Sequence, residues 1–201
     1  PARSERLAWI SGFTGSAGLA IVLADRAALF VDGRYTEQAR GEVEGALFEI
    51  LHVTETPPAT WLARALSAGE RIGYDPWLHT AAQLAPLKEA CARVPARLVA
   101  QRVNPIDAIW RDRPGPPLAG VRAHPLAFAG VASEEKRHAV AEQLRGEGQG
   151  AVVLSALDSI AWLLNIRGGD VPFTPLVLAF AILRADTTLD LFIDPRQVTP
   201  D

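Results

Sequence analysis

Residues 19–31 read LAIVLADRAALFV, and this stretch decides the fold of the first half of the sequence. It contains two short apolar runs, residues 19–23 and 27–31, separated by the charged residues Asp25 and Arg26. Buried strands are typically short and apolar, and a charged break between two of them favours a turn. The pattern therefore predicts a hairpin of two buried strands.

Strand and helix patterns alternate after this hairpin. The stretch that begins at Pro58 carries apolar residues at helical spacing, and a proline suits the first turn of a helix. A second apolar stripe, formed by Leu84, Leu87 and Cys91, predicts another helix. Further strands are predicted at residues 47–53, 71–74 and 97–103. This alternation is typical of the α/β class.

A change of composition marks a boundary between two domains. Residues 111–117, RDRPGPP, replace the apolar pattern with turn formers and charges, as is usual in a linker. We predict a first domain at residues 1–113, a linker at 114–117 and a second domain at 118–201.

The second domain also mixes helix and strand patterns. Ser133, followed by two glutamates, predicts a hydroxyl-capped helix that ends near Arg145. A further helix is predicted at residues 158–164, with strands at residues 151–154, 176–183 and 188–194. In the last strand, apolar residues alternate with polar ones, which predicts one solvated face.

The composition indicates a globular protein and argues against several other classes. The 201 residues are 49% hydrophobic and 21% charged, with a formal net charge of −3 at pH 7. A balance of 20 basic and 23 acidic residues argues against nucleic-acid binding, which requires clustered positive charge. The longest apolar run, residues 176–183, is less than half of the roughly 18 residues typical of a membrane span. The single cysteine favours a reducing compartment, so we expect a cytoplasmic protein.

Residue patterns for catalysis are sparse. The four histidines are scattered without the spacing of a metal site, and the loop at residues 12–18 lacks the spacing of a phosphate-binding motif. Cys91 lies on a predicted apolar stripe, which favours a core position over a nucleophile. We therefore predict no catalytic residue and no metal ligand in this sequence.

Two polar stretches remain as candidates for ligand binding. Arg34 follows a buried strand and an Asp-Gly turn, and a guanidinium group suits a carboxylate ligand. Arg167 and Asp170 lie in a polar, glycine-containing loop after a predicted helix, and exposed loops often carry binding residues. For both stretches, a purely structural turn is the alternative interpretation.

Four longer segments together resemble a known family. They read RLAWISGFTGSAG (residues 6–18), FVDGRYTEQA (30–39), NPIDAIWRDRP (104–114) and SALDSIAWLLNIRGGDVPFTP (155–175). In this order and spacing they are similar to the amino-terminal domains of three-domain Xaa-Pro aminopeptidases, in the creatinase and prolidase superfamily. The resemblance covers nearly all of this chain but only the front portion of a family member.

The resemblance implies two creatinase-N, ribonuclease-H-like domains, each a mixed sheet flanked by helices. Family members have a helix and a strand before the motif at Arg6, and their second domain continues past Asp201. Both domains are therefore expected to be incomplete at the chain ends. Many relatives have asparagine where this sequence has Thr174, so no role of that asparagine is carried over.

The resemblance also implies an activity, namely removal of the amino-terminal residue from peptides with proline second. It implies two divalent ions, manganese or zinc, held by a carboxyl-terminal pita-bread domain. Those ligands have no counterpart in this sequence, so this portion alone is expected to hold no cofactor and to be inactive. The implied role of this portion is to form one wall of the active-site cleft, to limit substrate size and to support contacts in a homo-oligomer. Arg34, Arg167 and Asp170 are the residues predicted to face that cleft.

The expected partners are the carboxyl-terminal catalytic domain and a peptide substrate with proline second. Neither a nucleic acid nor a membrane is expected as a partner. Two other interpretations stay open. A related module in a histone-chaperone subunit carries a catalytically dead pita-bread fold, so a stand-alone protein-interaction role is one alternative. A creatine or dipeptide hydrolase is the other, although the single front domain of those enzymes disfavours it.

Overall fold

The computed structural model of the protein describes residues 1–198. The chain divides into two compact units, and we refer to Ser4–Pro114 as the first unit. The second unit is Gly115–Asp201 together with Pro1–Arg3. The domain limits given above, 1–113 and 118–201, stay a prediction.

The first unit alternates strands with helices. Its strands are β1 (Gly18–Val22), β2 (Ala27–Val31), β3 (Phe48–His52), β4 (Arg71–Tyr74) and β5 (Arg97–Ala100). Its helices are α1 (Arg6–Ser11), α2 (Thr36–Glu42), α3 (Pro58–Ala65), α4 (Ala81–Arg93) and α5 (Pro105–Ile109). Strand β2 pairs antiparallel with β1 and parallel with β3, while β4 pairs parallel with β5. The predicted hairpin is therefore confirmed, and it belongs to a mixed three-stranded sheet.

Strand β2 lies at the centre of this sheet and is buried on both faces. Ala28 and Phe30 belong to one apolar cluster, which includes buried side chains of α3 and α4. Leu29 and Val31 belong to a second cluster, which includes Ala39 of α2. The four strand residues are at most 1% exposed. Since burying a Leu, Val or Phe side chain contributes about 1.5–3 kcal/mol, β2 is a main source of stability in this unit.

Helices α3 and α4 both begin with residues that favour the start of a helix. Pro57 precedes α3, and Pro58 occupies its first turn, where a missing amide hydrogen costs nothing. Thr80 and Gln83 form a reciprocal capping box at the start of α4. Cys91 of α4 is buried in the core, and this burial raises the pKa of its thiol. The predicted core position of Cys91 is therefore confirmed.

Helices α1 and α5 are joined by an ion-paired cluster. Arg6 donates from Nε and Nη2 to the two carboxylate oxygens of Asp107, at 2.7 and 2.9 Å. Arg113 Nη1 lies 2.6 Å from Asp107 Oδ2. Trp9 stacks on Trp110 with their ring centres 5.5 Å apart. These contacts connect the first helix of the unit to residues about one hundred positions later.

Within the described residues, the second unit has short strands, three α-helices and a 3₁₀ helix at Pro195–Gln197. Its strands are β6 (Arg122–Ala123), β7 (Ala151–Leu154), β8 (Ile166–Arg167), β9 (Phe180–Arg184) and β10 (Leu189–Phe192). Its helices are α6 (Leu126–Ala129), α7 (Ser133–Gly146) and α8 (Leu157–Leu164). Three strands form an antiparallel sheet in the order β10-β9-β7, and β6 pairs antiparallel with β8. Mixed pairing is thus seen in the first unit, whereas the described strands of the second unit pair only antiparallel.

Two predictions for the second unit are wrong. The strand predicted at residues 176–183 begins only at Phe180, because backbone groups of the preceding residues form hydrogen bonds with Asp170. Leu176 O accepts from Asp170 N at 3.1 Å, and Leu178 N donates to the Asp170 carboxylate at 2.8 Å. The predicted cap, Ser133, does not cap α7, since its hydroxyl instead donates to Leu163 O at 2.8 Å.

Each helix within residues 1–198 is too short or too polar to span a membrane.

The Arg6–Asp107 pair predicts a dependence of stability on pH. The hydrogen bond from Arg6 lowers the pKa of Asp107. A lowered folded-state pKa adds stability that is complete above the unfolded value of about 3.9 and is lost as the pH falls through the folded value. We therefore expect the free energy of unfolding of the first unit to decline below about pH 4, and Asp107→Asn to weaken that decline.

Urea unfolding across this pH range is the measurement. At neutral pH, Asp107→Asn should cost about 1–3 kcal/mol, as expected for hydrogen bonds to a charged group. The control is Asp25→Asn, since Asp25 pairs with Arg26 at an exposed site and should matter little. An unchanged pH slope in Asp107→Asn would contradict the prediction.

Candidate functional site

The first candidate stretch lies where β2 ends. The chain turns after Val31, and Tyr35 N donates to Asp32 O at 3.0 Å. The Asp32 carboxylate then accepts from the backbone N of Arg34 at 2.9 Å and from Arg34 Nη2 at 2.6 Å. The hydrogen bond from this guanidinium lowers the pKa of Asp32. Arg34 is thus oriented by Asp32 while 72% of its side chain stays exposed.

Tyr35 connects this turn to the glycine-rich loop at residues 12–18. Its hydroxyl lies 2.6 Å from Ser16 Oγ, and its ring meets the edge of Phe13 at 5.7 Å between centres. The Arg34 guanidinium lies 5.3 Å from the Tyr35 ring centre. A Cβ on Gly15 would stand 2.2 Å from the Phe13 ring, so this position has no room for a side chain. The glycine-rich loop therefore supports the turn that carries Arg34.

The second candidate stretch starts at the end of α8. Asn165 ends that helix in the left-handed conformation, with φ of 52°. Lys136 of α7, which is only 5% exposed, donates from Nζ to Trp162 O at 3.0 Å and to Asn165 Oδ1 at 2.6 Å. Asn165 Nδ2 donates in turn to Val131 O at 2.9 Å. A buried lysine therefore satisfies the last turn of α8 and fixes where the following segment begins.

Arg167 forms its hydrogen bonds within the second unit. It lies half-buried in β8, opposite Arg122 of β6. Its Nη1 donates to Ile166 O at 2.8 Å and to Ala161 O at 3.3 Å. These bonds join β8 to the backbone of α8.

Asp170 is 3% exposed and serves as an internal acceptor. Gln197 Nε2 donates to its two carboxylate oxygens at 2.8 and 2.9 Å, and Leu178 N donates to Oδ2 at 2.8 Å. Gln197 also bonds Ala119 O at 3.0 Å. Asp170 thereby connects three separate stretches of the second unit through hydrogen bonds.

Gly168 shows how closely this segment is packed. A Cβ at this position would lie 2.9 Å from Val177 Cβ and 3.0 Å from Leu176 O. Real Cβ atoms essentially never approach another atom within 3.0 Å, so only glycine fits here without a shift of Val177. The residues between Arg167 and Asp170 are therefore held by packing as well as by hydrogen bonds.

The three predicted cleft residues differ in what they offer a ligand. Arg34 is exposed and belongs to the first unit, whereas Arg167 and Asp170 belong to the second unit and bond to separate groups within it. Their assignment to a substrate cleft stays a prediction. Lys136 and Gln197 were missed as positioning residues, and the one available signal was that Lys136 is among only two lysines in the sequence.

The described residues do not form a metal site. Between Pro1 and Val198, no group of three or more His, Cys, Asp or Glu side chains is arranged to hold a metal ion. His138 Nε2 lies 3.9 Å from Glu134 Oε1 on one exposed helix face. These residues therefore do not fit a two-metal centre, and no chemical step through a metal is assigned to them.

Comparison with known proteins identifies the family. Two sequence models of the creatinase/prolidase N-terminal domain match residues 2–108 and residues 112–201. The first match alone covers more than half of the chain. The chain therefore belongs to the creatinase/prolidase N-terminal domain family, and the α/β fold class predicted from the sequence is confirmed.

Its relatives are aminopeptidases that are much longer. The chain is 41% identical over 198 residues to aminopeptidase P2 of Arabidopsis thaliana, a match to 96% of this chain and 28% of that protein. It is 39% identical over 199 residues to a probable Xaa-Pro aminopeptidase P of Aspergillus clavatus, a match to 98% of this chain and 30% of that protein. The predicted resemblance to Xaa-Pro aminopeptidases is confirmed.

A solved structure has the same fold. The X-prolyl aminopeptidase of Caenorhabditis elegans, described as a cytosolic enzyme with a di-nuclear active site, matches with a TM-score of 0.87 and 28% identity. The match covers 98% of this chain and 32% of that one. The chain thus spans between 28 and 32% of the length of these three proteins.

Asp170 is buried whereas Arg34 is exposed, so replacing each by alanine should change the free energy of unfolding by different amounts. Asp170→Ala removes the acceptor of Leu178 N and leaves the buried Gln197 amide with only Ala119 O, and this should lower the free energy of unfolding by about 2–4 kcal/mol. Arg34→Ala removes an exposed pair and should cost less than about 1 kcal/mol. Urea unfolding of both variants checks this, and equal costs would contradict the assignment of Asp170 as an internal acceptor.

Proposed function

We propose that this chain is the non-catalytic front portion of a metal-dependent Xaa-Pro aminopeptidase. The observation that carries the proposal is the match of 98% of the chain to 32% of the C. elegans X-prolyl aminopeptidase, at a TM-score of 0.87. The full-length enzyme would remove the amino-terminal residue from peptides that have proline second. The identities of 41% and 39% to an aminopeptidase P2 and a probable Xaa-Pro aminopeptidase P support the same activity.

The work of this portion would be to shape access to the catalytic centre. It would wall the active-site cleft, limit the size of the peptide that enters and support subunit contacts in a homo-oligomer. Rigid elements that present loops suit this role, because binding residues tend to lie on loops held by a scaffold. A cytoplasmic location is proposed as well, since the C. elegans relative is described as cytosolic.

The metal chemistry would belong to the remainder of the longer polypeptide. The C. elegans relative is described as having a di-nuclear active site, and the described residues of this chain do not fit such a centre. A metal pair would supply an activated water and stabilise the developing oxyanion. The residues of this chain would instead position the peptide.

Arg34 is the residue best placed to contact the peptide. Its side chain is 72% exposed although Asp32 orients it, so it can meet a ligand without rearrangement of the turn. A guanidinium group matches a carboxylate such as the peptide's carboxyl terminus. Arg167 and Asp170 would act indirectly, because their hydrogen bonds set the shape of the segment between α8 and β9.

The test is turnover by the full-length protein. It should cleave a tripeptide with proline second, lose that activity to a chelator, and regain it with manganese or zinc. Arg34→Ala should raise KM about 10-fold, the loss expected for one hydrogen bond to a charged group. Asp170→Ala should change the preference for peptide length together with stability.

Arg34→Lys is the matched control, since it keeps the charge but loses the planar fork and should raise KM less. Failure of the full-length protein to cut any peptide with proline second would overturn the proposed activity. Turnover by the 201-residue chain alone, abolished by chelator, would overturn its non-catalytic role. Unchanged kinetics in Arg34, Arg167 and Asp170 variants would remove the cleft assignment.

A further inference from the structure

The segment that follows β8 forms a closed loop whose two sides are hydrogen-bonded to each other. Gly168 N donates to Pro175 O at 3.1 Å, and Asp170 N donates to Leu176 O at 3.1 Å. The buried Asp170 carboxylate adds its own hydrogen bonds at the same place. The base of the loop is therefore fixed, and it carries a short tip at residues 171–174, which we call the loop tip.

The loop tip is a tight turn that contains an unfavourable residue. Thr174 N donates to Val171 O at 3.2 Å, Pro172 is the second residue of the turn, and Phe173 is the third, with a φ of 59°. These are the features of a type II turn, which takes proline second and glycine or asparagine third. A bulky residue at a positive φ is an outlier, and such strain is concentrated at functional sites. The turn therefore holds Phe173 where glycine would be less strained.

Phe173 is also fully exposed. Its relative exposure is 108%, so its ring is left uncovered by the rest of residues 1–198. The neighbouring residues Pro172, Thr174 and Pro175 are exposed as well, and their side chains are small. One ring offers much less area than the roughly 800 Å² that each partner buries in a typical protein–protein interface. The exposed ring therefore suits a small ligand better than a docked domain.

We propose that Phe173 is a specificity-determining residue of the longer enzyme, and that its ring contacts the third side chain of the peptide substrate, one position beyond the proline. The inference rests on the proposed function, in which this portion forms one wall of the cleft. An aromatic ring suits an apolar side chain because it offers a large apolar area. The fixed base of the loop adds to the contact, since a preorganised group loses little freedom when a ligand binds.

The place of this contact along the peptide follows from the proposed function. The bond that is cut lies before the proline and meets the metal centre, whereas residues 1–198 form no metal site. A portion that limits the size of the peptide meets the part that extends away from the cut bond. The third residue is the first one in that part, so its side chain is the one assigned to Phe173.

The test compares the tripeptides Ala-Pro-Leu and Ala-Pro-Gly as substrates of the full-length protein. The enzyme should prefer leucine as the third residue. Phe173→Ala should reduce this preference, measured as the ratio of the two kcat/KM values, about 10-fold, as expected when an apolar contact to the substrate is lost. Phe173→Tyr keeps the ring and should retain the preference. Phe128→Ala is the matched control, since Phe128 is 77% exposed elsewhere in the second unit and should leave the preference unchanged.

A second variant distinguishes a ligand contact from a structural one. Phe173→Gly should lose the leucine preference as Phe173→Ala does, yet the Tm of the full-length protein should stay unchanged or rise, because glycine adopts a positive φ without strain. A Tm lowered by several degrees in Phe173→Gly would show that the rest of the polypeptide covers the ring, and it would overturn the proposal.

The inference and the proposed function fail in different ways. A full-length protein that cleaves both tripeptides without a leucine preference, or whose Phe173→Ala variant keeps that preference, would overturn the inference and leave the proposed function intact. A full-length protein that cleaves no peptide with proline second would reject the proposed function, and the inference with it.

Discussion

Burial of β2 on both of its faces is the constraint from which the first unit is built. Because Ala28 and Phe30 face one cluster while Leu29 and Val31 face another, the strand requires a helical layer on each side. Helices α3 and α4 supply one layer and α2 contributes to the other. The same constraint fixes the point at which the chain leaves the sheet. That exit carries Asp32 and Arg34, so the position of an exposed guanidinium follows from the packing of an apolar strand.

In the second unit, buried polar side chains play the corresponding part. Lys136 satisfies the end of α8, and Asp170 receives hydrogen bonds from Gln197 and from Leu178 N. Burying a polar group is costly unless it is paired, so each of these groups holds its partners in one arrangement. Buried polar side chains therefore hold the segment from Asn165 to Asp170 at both of its ends.

Local patterns in the sequence predicted the hairpin, the alternation of helices and strands and the core position of Cys91. They failed where a distant residue decides the outcome. The strand expected at residues 176–183 is shortened because Asp170 bonds the backbone of Leu176 and Leu178. The buried carboxylate of Asp170 accepts a hydrogen bond from Gln197, which lies 27 positions away, and no local sequence pattern reveals this pairing. The solvated face predicted for β10 is present, since Asp190 and Phe192 are exposed while Leu189 and Leu191 are half-buried, although Phe192 on that face is apolar.

Under the proposed function, this chain is a structural portion, and the metal chemistry belongs to the rest of a longer polypeptide. Family membership rests on matches along both units, and the relatives are about three times as long as this chain. The intact mass of the native gene product tests this most directly. We expect a mass about three times the 21.6 kDa of this chain, with Asp, His and Glu metal ligands in the additional sequence. A native product no larger than 21.6 kDa would contradict it.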